Sequence, residues 1–359
     1  MTIGDPRPAR GLSPPEGAPG VVDPLVDAFP EYPLVSNDRI QYFVERFTGS
    51  RREVIELWLN RSRRYLGMIR ETLRKHGLPE DLAFTAMIES GFNPVAVSRV
   101  GAKGLWQFMA KTARNYGLRV DRWVDERLDP EKSTVAAAAY FRDLYNQFGS
   151  WFLAQAAYNA GEVKVARAIR LTRTTDFWEL ARSRHLRAET KDFVPAIQAV
   201  TLIGRDPDRY GFEVAAYESP RFETIRVPPS TDLRQLSRSA GLPLAALQRW
   251  NPELWRSMTP PGSFYDLKVP EASKEGVGLA ILAGKASVGR GVISKARRVH
   301  VVRQNETIRG IATKYGLSVK DLVRWNGLES GDRIRPGDRI RVVNVPASAR
   351  NESEQAWVR

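Results

Sequence analysis

The stretch Ala86-Met87-Ile88-Glu89-Ser90-Gly91-Phe92-Asn93-Pro94, followed by Ser98 and then Gly101-Ala102-Lys103-Gly104-Leu105-Trp106-Gln107-Phe108-Met109, decides how the chain is read. An apolar helical run stops at Glu89, and no Asp or Glu occurs from Ser90 to Val120. A carboxyl group ending an apolar helix meets the negative end of the helix dipole and loses hydration, and both effects favour its protonated form. That is how a general acid is prepared for work near neutral pH. The competing reading is a helix-end Glu open to water, which is what most glutamates are.

Outward from this stretch, residues 38–212 carry apolar positions at three- and four-residue spacing, as in Val54, Leu57, Trp58, Tyr65 and Ile69. Leu78-Pro79-Glu80-Asp81 and Asp129-Pro130-Glu131 read as helix starts, and Gly117, Gly149 and Gly161 follow apolar runs as stops. The pattern predicts a compact all-α body. Residues 1–37, rich in Pro, Gly and Ala, read as a disordered leader.

After Phe212 an internal repeat appears. A shift of 75 places Leu233 on Ile308, Leu236 on Ile311, Leu247 on Leu322 and Arg249-Trp250-Asn251 on Arg324-Trp325-Asn326. The reading is two small α+β modules of order βααβ, over 222–270 and 299–343, joined by a linker at 271–298 and followed by a disordered tail at 344–359. Val299–Val302 and Arg339–Val343 would be the strands of the second copy.

Composition narrows the chemistry. Lys and Arg exceed Asp and Glu by 14 formal charges, which points to a polyanionic partner. With no Cys, thiolate metal sites, thiol nucleophiles and a lipidated Cys are excluded from this chain. The three His are scattered, against a His-based metal site or triad. No apolar stretch reaches the roughly 18 residues of a membrane span. Met1 to Gly20 holds no secretory signal pattern, and the expectation is a truncated or misassigned start.

Four ordered motifs carry a resemblance: Glu-Ser-x-Phe-x-Pro-x-Ala-x-Ser from Glu89, Gly-Ala-x-Gly-Leu-Trp-Gln-Phe-Met from Gly101, Ala157-Tyr158-Asn159-Ala160-Gly161, and Glu189-Thr190. Together with Arg61–Tyr65, Asp125-Glu126-Arg127 and Gly149-Ser150-Trp151, they resemble the soluble-lytic-transglycosylase catalytic-domain family, of the membrane-bound lytic murein transglycosylase D type. The repeats resemble LysM peptidoglycan-binding modules, the first in degenerate form. The resemblance implies a mainly α chain: a lysozyme-like catalytic domain followed by LysM-like modules. It implies cleavage of the MurNAc-GlcNAc bond of peptidoglycan without water, with Glu89 as single acid/base and 1,6-anhydro ends as product. It places Ser98, Gln107, Met109, Tyr158, Asn159 and Glu189 along the sugar groove. It calls for no metal or organic cofactor, and it puts the protein in the periplasm or cell envelope with glycan strands as partner and no nucleic acid.

Departures from the family pattern are Ala110 for Pro, Phe193 for Tyr and Arg187 for Pro in the body. In the second repeat Asn305-Glu306 replaces Gly-Asp and His300 replaces Tyr; Pro228-Pro229 marks the first. Leu105, Trp106 and Phe108 read as core, Ser90 as fixing the loop after Glu89, Asn159-Ala160-Gly161 alternatively as a helix end with a left-handed Gly, and Arg61–Arg64 as a solvated face. Competing functions are a lysozyme-like hydrolase using Asp121, Asp125 or Glu189 to activate water, a non-catalytic wall-binding protein, and, on charge alone, a nucleic-acid binder.

Overall fold

The computed structural model describes residues 29–214, 221–282, 299–304, 306–315, 317–328 and 334–342. The leader expected over 1–28, the linker over 283–298 and the tail over 344–359 lie outside the described residues. The chain divides into two compact units at Ala286/Ser287.

The first unit begins with an all-α body. Its helices are α1 (Asp38–Thr48), α2 (Arg52–Ser62), α3 (Leu66–Lys75), α4 (Ala83–Ser90), α5 (Ala110–Asn115), α6 (Pro130–Phe148), α7 (Trp151–Ala160), α8 (Glu162–Thr172), α9 (Phe177–Arg182) and α10 (Ala188–Arg205). The predicted start of α6 is present: Asp129 accepts from the Lys132 amide at 3.0 Å and Pro130 takes the first helical position. Gly149 ends that helix in the left-handed region.

The residues of α4 from Ala83 to Met87 are buried on every side. Such a helix has no solvated face and packs between α3 and α10. The approach to α10 is close enough that a Cβ on Gly204 would sit 2.1 Å from the Phe84 ring.

Residues 29–37 correct the expectation of a leader reaching 37. Phe29 packs edge-on to Tyr145 at 5.2 Å, and Trp151 Nε1 donates to the Pro30 carbonyl at 2.9 Å. Tyr32 donates to Gln155 Oε1 at 2.9 Å, while Gln198 holds both the Pro33 carbonyl and the Val35 amide. Gln155 and Gln198 are fully buried and need partners, which this extended segment supplies.

The first unit continues with β1 (Phe222–Val227), α11 (Leu233–Ala240), α12 (Leu244–Trp250), β2 (Tyr265–Pro270) and α13 (Lys274–Leu282). β1 and β2 pair antiparallel from Phe222 opposite Pro270 to Val227 opposite Tyr265. Residues 274–282, read as linker, are instead a helix whose Val277 and Ala280 enter the module core; their small Gly-rich composition masked the packing stripe. That core also contains Val124 of the helical body. Main-chain bonds continue the junction, from the Asp125 amide to the Glu253 carbonyl at 2.9 Å and from the Trp255 amide to the Trp123 carbonyl at 3.2 Å. The Lys268 ammonium reaches Asp129 at 3.1 Å and also pairs with Glu131.

The second unit repeats the order with β3 (Val299–Val301), α14 (Ile308–Tyr315), α15 (Val319–Asn326) and β4 (Arg339–Arg341) around Val302, Ile311, Leu322 and Ile340. One lock recurs in both copies. Asn251 donates to the Leu247 and Lys268 carbonyls and accepts from the Lys268 amide; Asn326 does the same with Leu322 and Arg341. The repeated Asn therefore staples the second helix to the return strand. Two departures in the second copy compensate each other: His300 Nε2 lies 2.6 Å from Glu306 Oε2, and Nδ1 lies 3.0 Å from the Tyr315 hydroxyl.

Two glycines in the 97–108 loop make opposite demands. Gly104 (φ +83°) faces the Arg127 carbonyl, where a Cβ would lie at 1.8 Å; Gly101 (φ +84°) faces open space. Gly104→Ala is expected to destabilise the protein by about 3 kcal/mol or more through backbone strain plus a main-chain clash, and Gly101→Ala by about 1 kcal/mol through strain alone. Urea unfolding of both variants checks this; equal losses would mean that the loop moves away from residue 127 at no cost.

Candidate active site

Helix α4 carries Glu89 to the edge of a cleft of about 740 Å³ and then stops at Gly91, whose φ of +58° and contact with the Trp58 ring exclude a side chain. A Cβ there would lie 2.2 Å from Trp58 Nε1. Ser90 fixes the turn that follows: its hydroxyl lies 2.8 Å from the Leu105 carbonyl and receives the Asn93 amide at 3.2 Å.

The cleft is lined by all seven residues singled out in the sequence: Glu89, Ser98, Gln107, Met109, Tyr158, Asn159 and Glu189. Long-range bonds explain how motifs far apart in sequence converge. The Tyr158 hydroxyl donates to the Trp106 carbonyl at 2.7 Å, tying α7 to the loop after α4. Tyr158 stacks on Phe141 at 4.8 Å. Thr190, buried at the start of α10, donates to Asn159 Oδ1 at 2.8 Å, so the Glu-Thr pair divides its work between the cleft and the positioning of Asn159.

Ser98 Oγ accepts from the Ala102 amide at 3.0 Å and keeps its proton to donate. Gln107 sits at φ +48°, and its amide nitrogen donates to the Gly104 carbonyl at 2.9 Å. Its NH₂ therefore serves the loop, leaving Oε1 as the group for a ligand. Met109 is 46% exposed, open to pack on a ligand face. Leu105, Trp106 and Phe108 are core, Trp106 bonding Thr134 at 2.9 Å. Phe193 lines the cleft as a buried apolar wall. Gly161 is not the left-handed cap weighed above: with φ 92° and ψ 138° it swings the chain from α7 directly into α8.

Glu89 is half-buried and accepts no hydrogen bond from any cation among the described residues. Burial, and secondarily the Glu189 carboxylate, push its pKa up to about 8. Burial also drives the Tyr158 hydroxyl well above its ordinary range, with Glu89 adding to the effect.

Sequence reasoning missed other cleft residues. Tyr140 on α6 reaches Glu162 Oε2 at 3.3 Å and lies 5.2 Å from the Tyr158 ring; Asp192 on α10 pairs with Arg39 at 2.5 Å. Glu162 had a local signal, as the first residue after the Tyr-Asn-Ala-Gly run; Tyr140 and Asp192 had none. Of the acids considered for a water-activating role, Asp125 is fully buried and clamped by Arg127 at 2.8 Å, with Lys103 at 3.3 Å. Asp121 is spent on the amides of Trp123 and Val124 and on Arg119. Glu189 alone of the three lies in the cleft.

Comparison with known proteins gives matching assignments. The family described as Transglycosylase SLT domain matches residues 67–181, LysM domain matches 300–343, and the LysM-like domain of lytic transglycosylase MltD matches 221–278. Membrane-bound lytic murein transglycosylase D of Escherichia coli (strain K12) is 29% identical over 320 residues, 86% of this chain and 70% of that one. Membrane-bound lytic murein transglycosylase F of Maricaulis maris (strain MCS10) is 34% identical over 153 residues, 39% of this chain and 32% of the relative. Among solved structures, the 70 kDa soluble lytic transglycosylase of Escherichia coli is 27% identical, with a TM-score of 0.36, over 44% of this chain; the chain spans 26% of that structure's length. The helical body thus carries the SLT-domain match, and each βααβ unit carries a LysM-type match.

A raised carboxyl pKa has a definite stability signature. The ordinary value is 4.5 and the folded value about 8, so the folded protein holds this proton more tightly than the unfolded chain. The cost of Glu89 to stability is absent below 4.5, grows as pH rises through the interval and is complete above 8. Glu89→Gln is therefore expected to melt several degrees above the parent at pH 9 and level with it at pH 4. Calorimetric melting at both pH values checks this, and a constant difference would remove the buried-proton account.

Proposed function

We propose that the cleft cleaves the β-1,4 bond between N-acetylmuramic acid and N-acetylglucosamine in peptidoglycan without consuming water. The observation that carries this reading is Glu89, a half-buried carboxyl that keeps its proton to about pH 8 beside Tyr158 and Asn159, with no ion pair to any described cation to hold it ionised.

Protonated Glu89 gives its proton to the glycosidic oxygen as the bond to the muramyl C1 breaks, and the N-acetylglucosamine leaves with its hydroxyl. The positive character at C1 is stabilised by the substrate's own 2-acetamido carbonyl, which Asn159, Ser98 and the Gln107 carbonyl oxygen help to orient. Glu89, now ionised, takes the proton of the muramyl C6 hydroxyl, and the C6 oxygen bonds to C1 to close a 1,6-anhydro ring. One carboxyl thus ends as it began. The other cleft acids fit subordinate roles: Glu162 is tied to Tyr140 and Asp192 to Arg39, while Glu189 helps to keep the proton on Glu89. No metal or organic cofactor enters any step.

The LysM-type modules hold the enzyme on glycan strands and raise the local concentration of bonds to be cut. Peptidoglycan lies outside the cytoplasmic membrane, so the reading places the protein in the periplasm or cell envelope. No helix among the described residues is long and apolar enough to cross a membrane.

A second reading, hydrolysis, is favoured by one observation: Glu189 lies in the same cleft and could activate water. Digestion of purified sacculi in ¹⁸O-water separates the two by mass spectrometry. Anhydro-muramyl ends free of label are expected; labelled reducing ends would replace this reading by the hydrolytic one. Glu89→Gln is expected to lower turnover by roughly 10²–10⁴-fold. Because the first step needs the protonated acid, kcat/KM is expected to fall as pH rises through about 8.

A further inference from the structure

The Arg61–Arg64 run, read from sequence as a solvated face, instead lines a second cleft of about 460 Å³ on the same unit. Arg61 comes from the end of α2 and Arg64 from the turn after it. Arg249 and Trp250 come from the last turn of α12, and Phe92-Asn93-Pro94 form a further wall. The helical body and the first module thus build this cleft together.

Its side chains are arranged for an anion. The Arg64 guanidinium lies 4.8 Å from the Trp250 ring centroid, a stacking contact that limits its rotamers and leaves its N–H edge available. Ser62, buried between the arginines, bonds the Leu59 carbonyl at 2.7 Å and pins the turn. Arg63 has its own partner, whereas Arg61, Arg64 and Arg249 form no ion pair with any described residue, and no acid among the described residues lines the cleft. Glu131, which lies near Tyr65, is engaged by Lys268. Uncompensated guanidinium groups on two elements that fold against each other favour a planar carboxylate, which two N–H groups of one Arg grip in parallel.

The wall of this cleft is continuous with the catalytic segment. Ile88 and Glu89 face the catalytic cleft, while Phe92, Asn93 and Pro94 face the basic one. Asn93 follows Glu89 by four positions, a span of at most about 14 Å. Glycan hydroxyls and acetamido groups are neutral; the carboxylates of peptidoglycan sit on the peptide stems. We propose that the Arg61–Arg64–Arg249 cleft is a binding site for the carboxylates of the stem peptides on the strand being cut, an inference that rests on the peptidoglycan reading above.

The test is a titration of the full chain carrying Glu89→Gln, so that ligand stays intact. The probes are a tetrasaccharide of alternating N-acetylglucosamine and N-acetylmuramic acid with its peptide stems, and the same sugar with the stems removed and its lactyl carboxyls capped as primary amides. Calorimetry is expected to give about tenfold tighter binding of the stem-bearing form, falling to equality when Arg61→Gln and Arg249→Gln are added together. Neither arginine bonds another described side chain, and thermal melting verifies that the double variant folds. A preference that survives the double substitution, or equal binding of both sugars by the parent, overturns the site. A cleft whose substitution changes binding of polyphosphate but not of the stem-bearing sugar overturns it too, in favour of a phosphate ligand. Failure of both sugars to bind would sink the peptidoglycan reading itself, and hydrolytic products from sacculi would sink only the anhydro mechanism.

Discussion

The Asp125–Arg127 ion pair is the constraint on which both the groove and its neighbouring module depend. Both residues are nearly inaccessible, the carboxylate at 0% and the guanidinium at 5%. Burying two charges is costly unless every remaining donor finds an acceptor. Here Arg127 spends its other N–H groups on the carbonyls of Gly101 and Phe108, both in the 97–108 loop that presents Ser98 and Gln107. The Asp125 amide meanwhile bonds Glu253 of the first module. One short segment therefore sets the floor of the groove and the seat of the module at once. Gly104 is the companion requirement, since only a residue without Cβ lets the loop lie against the Arg127 carbonyl.

The chemistry of Glu89 follows from what the fold withholds from it. A basic chain with fifty-five Lys and Arg residues could easily have placed one beside this carboxyl. Instead Arg46, the cation that lines the groove among the described residues, lies 3.3 Å from the Tyr42 hydroxyl, while Lys103 is held by Asp125 and by the Trp255 ring at 3.8 Å, and Arg39 by Asp192. Proton retention arises from desolvation plus one acidic neighbour, with no dedicated hydrogen bond to the acid.

Much of the groove was legible because its residues fall in short runs whose chemistry is local: Glu89 ends an apolar helix, and Gly101–Met109 combines glycines with amide, thioether and aromatic groups. The α-helical body was legible from period and caps, as at Asp129-Pro130. What escaped was set by distant partners. Tyr140 sits on a helix whose spacing reads as plain core, and its tilted ring contact with Tyr158 and its bond to Glu162 bring it to the cleft. Residues 29–37 have leader-like composition, and their order comes from Gln155 and Gln198, more than a hundred residues away. The joining of module to body through Val124 had no sequence signal, because a single apolar residue in a loop carries no period. The donors of Gln107 were likewise spoken for by a left-handed backbone that sequence does not display.

The asparagine staple shared by Asn251 and Asn326 holds each βααβ unit closed from within, using only main-chain groups of its own helix and strand. Architecture in these repeats is thereby uncoupled from whatever their outer surfaces recognise. A copy built this way can change its outer face and the length of its intervening loop and still close, which lets the first copy brace the helical body by taking Val124 into its core.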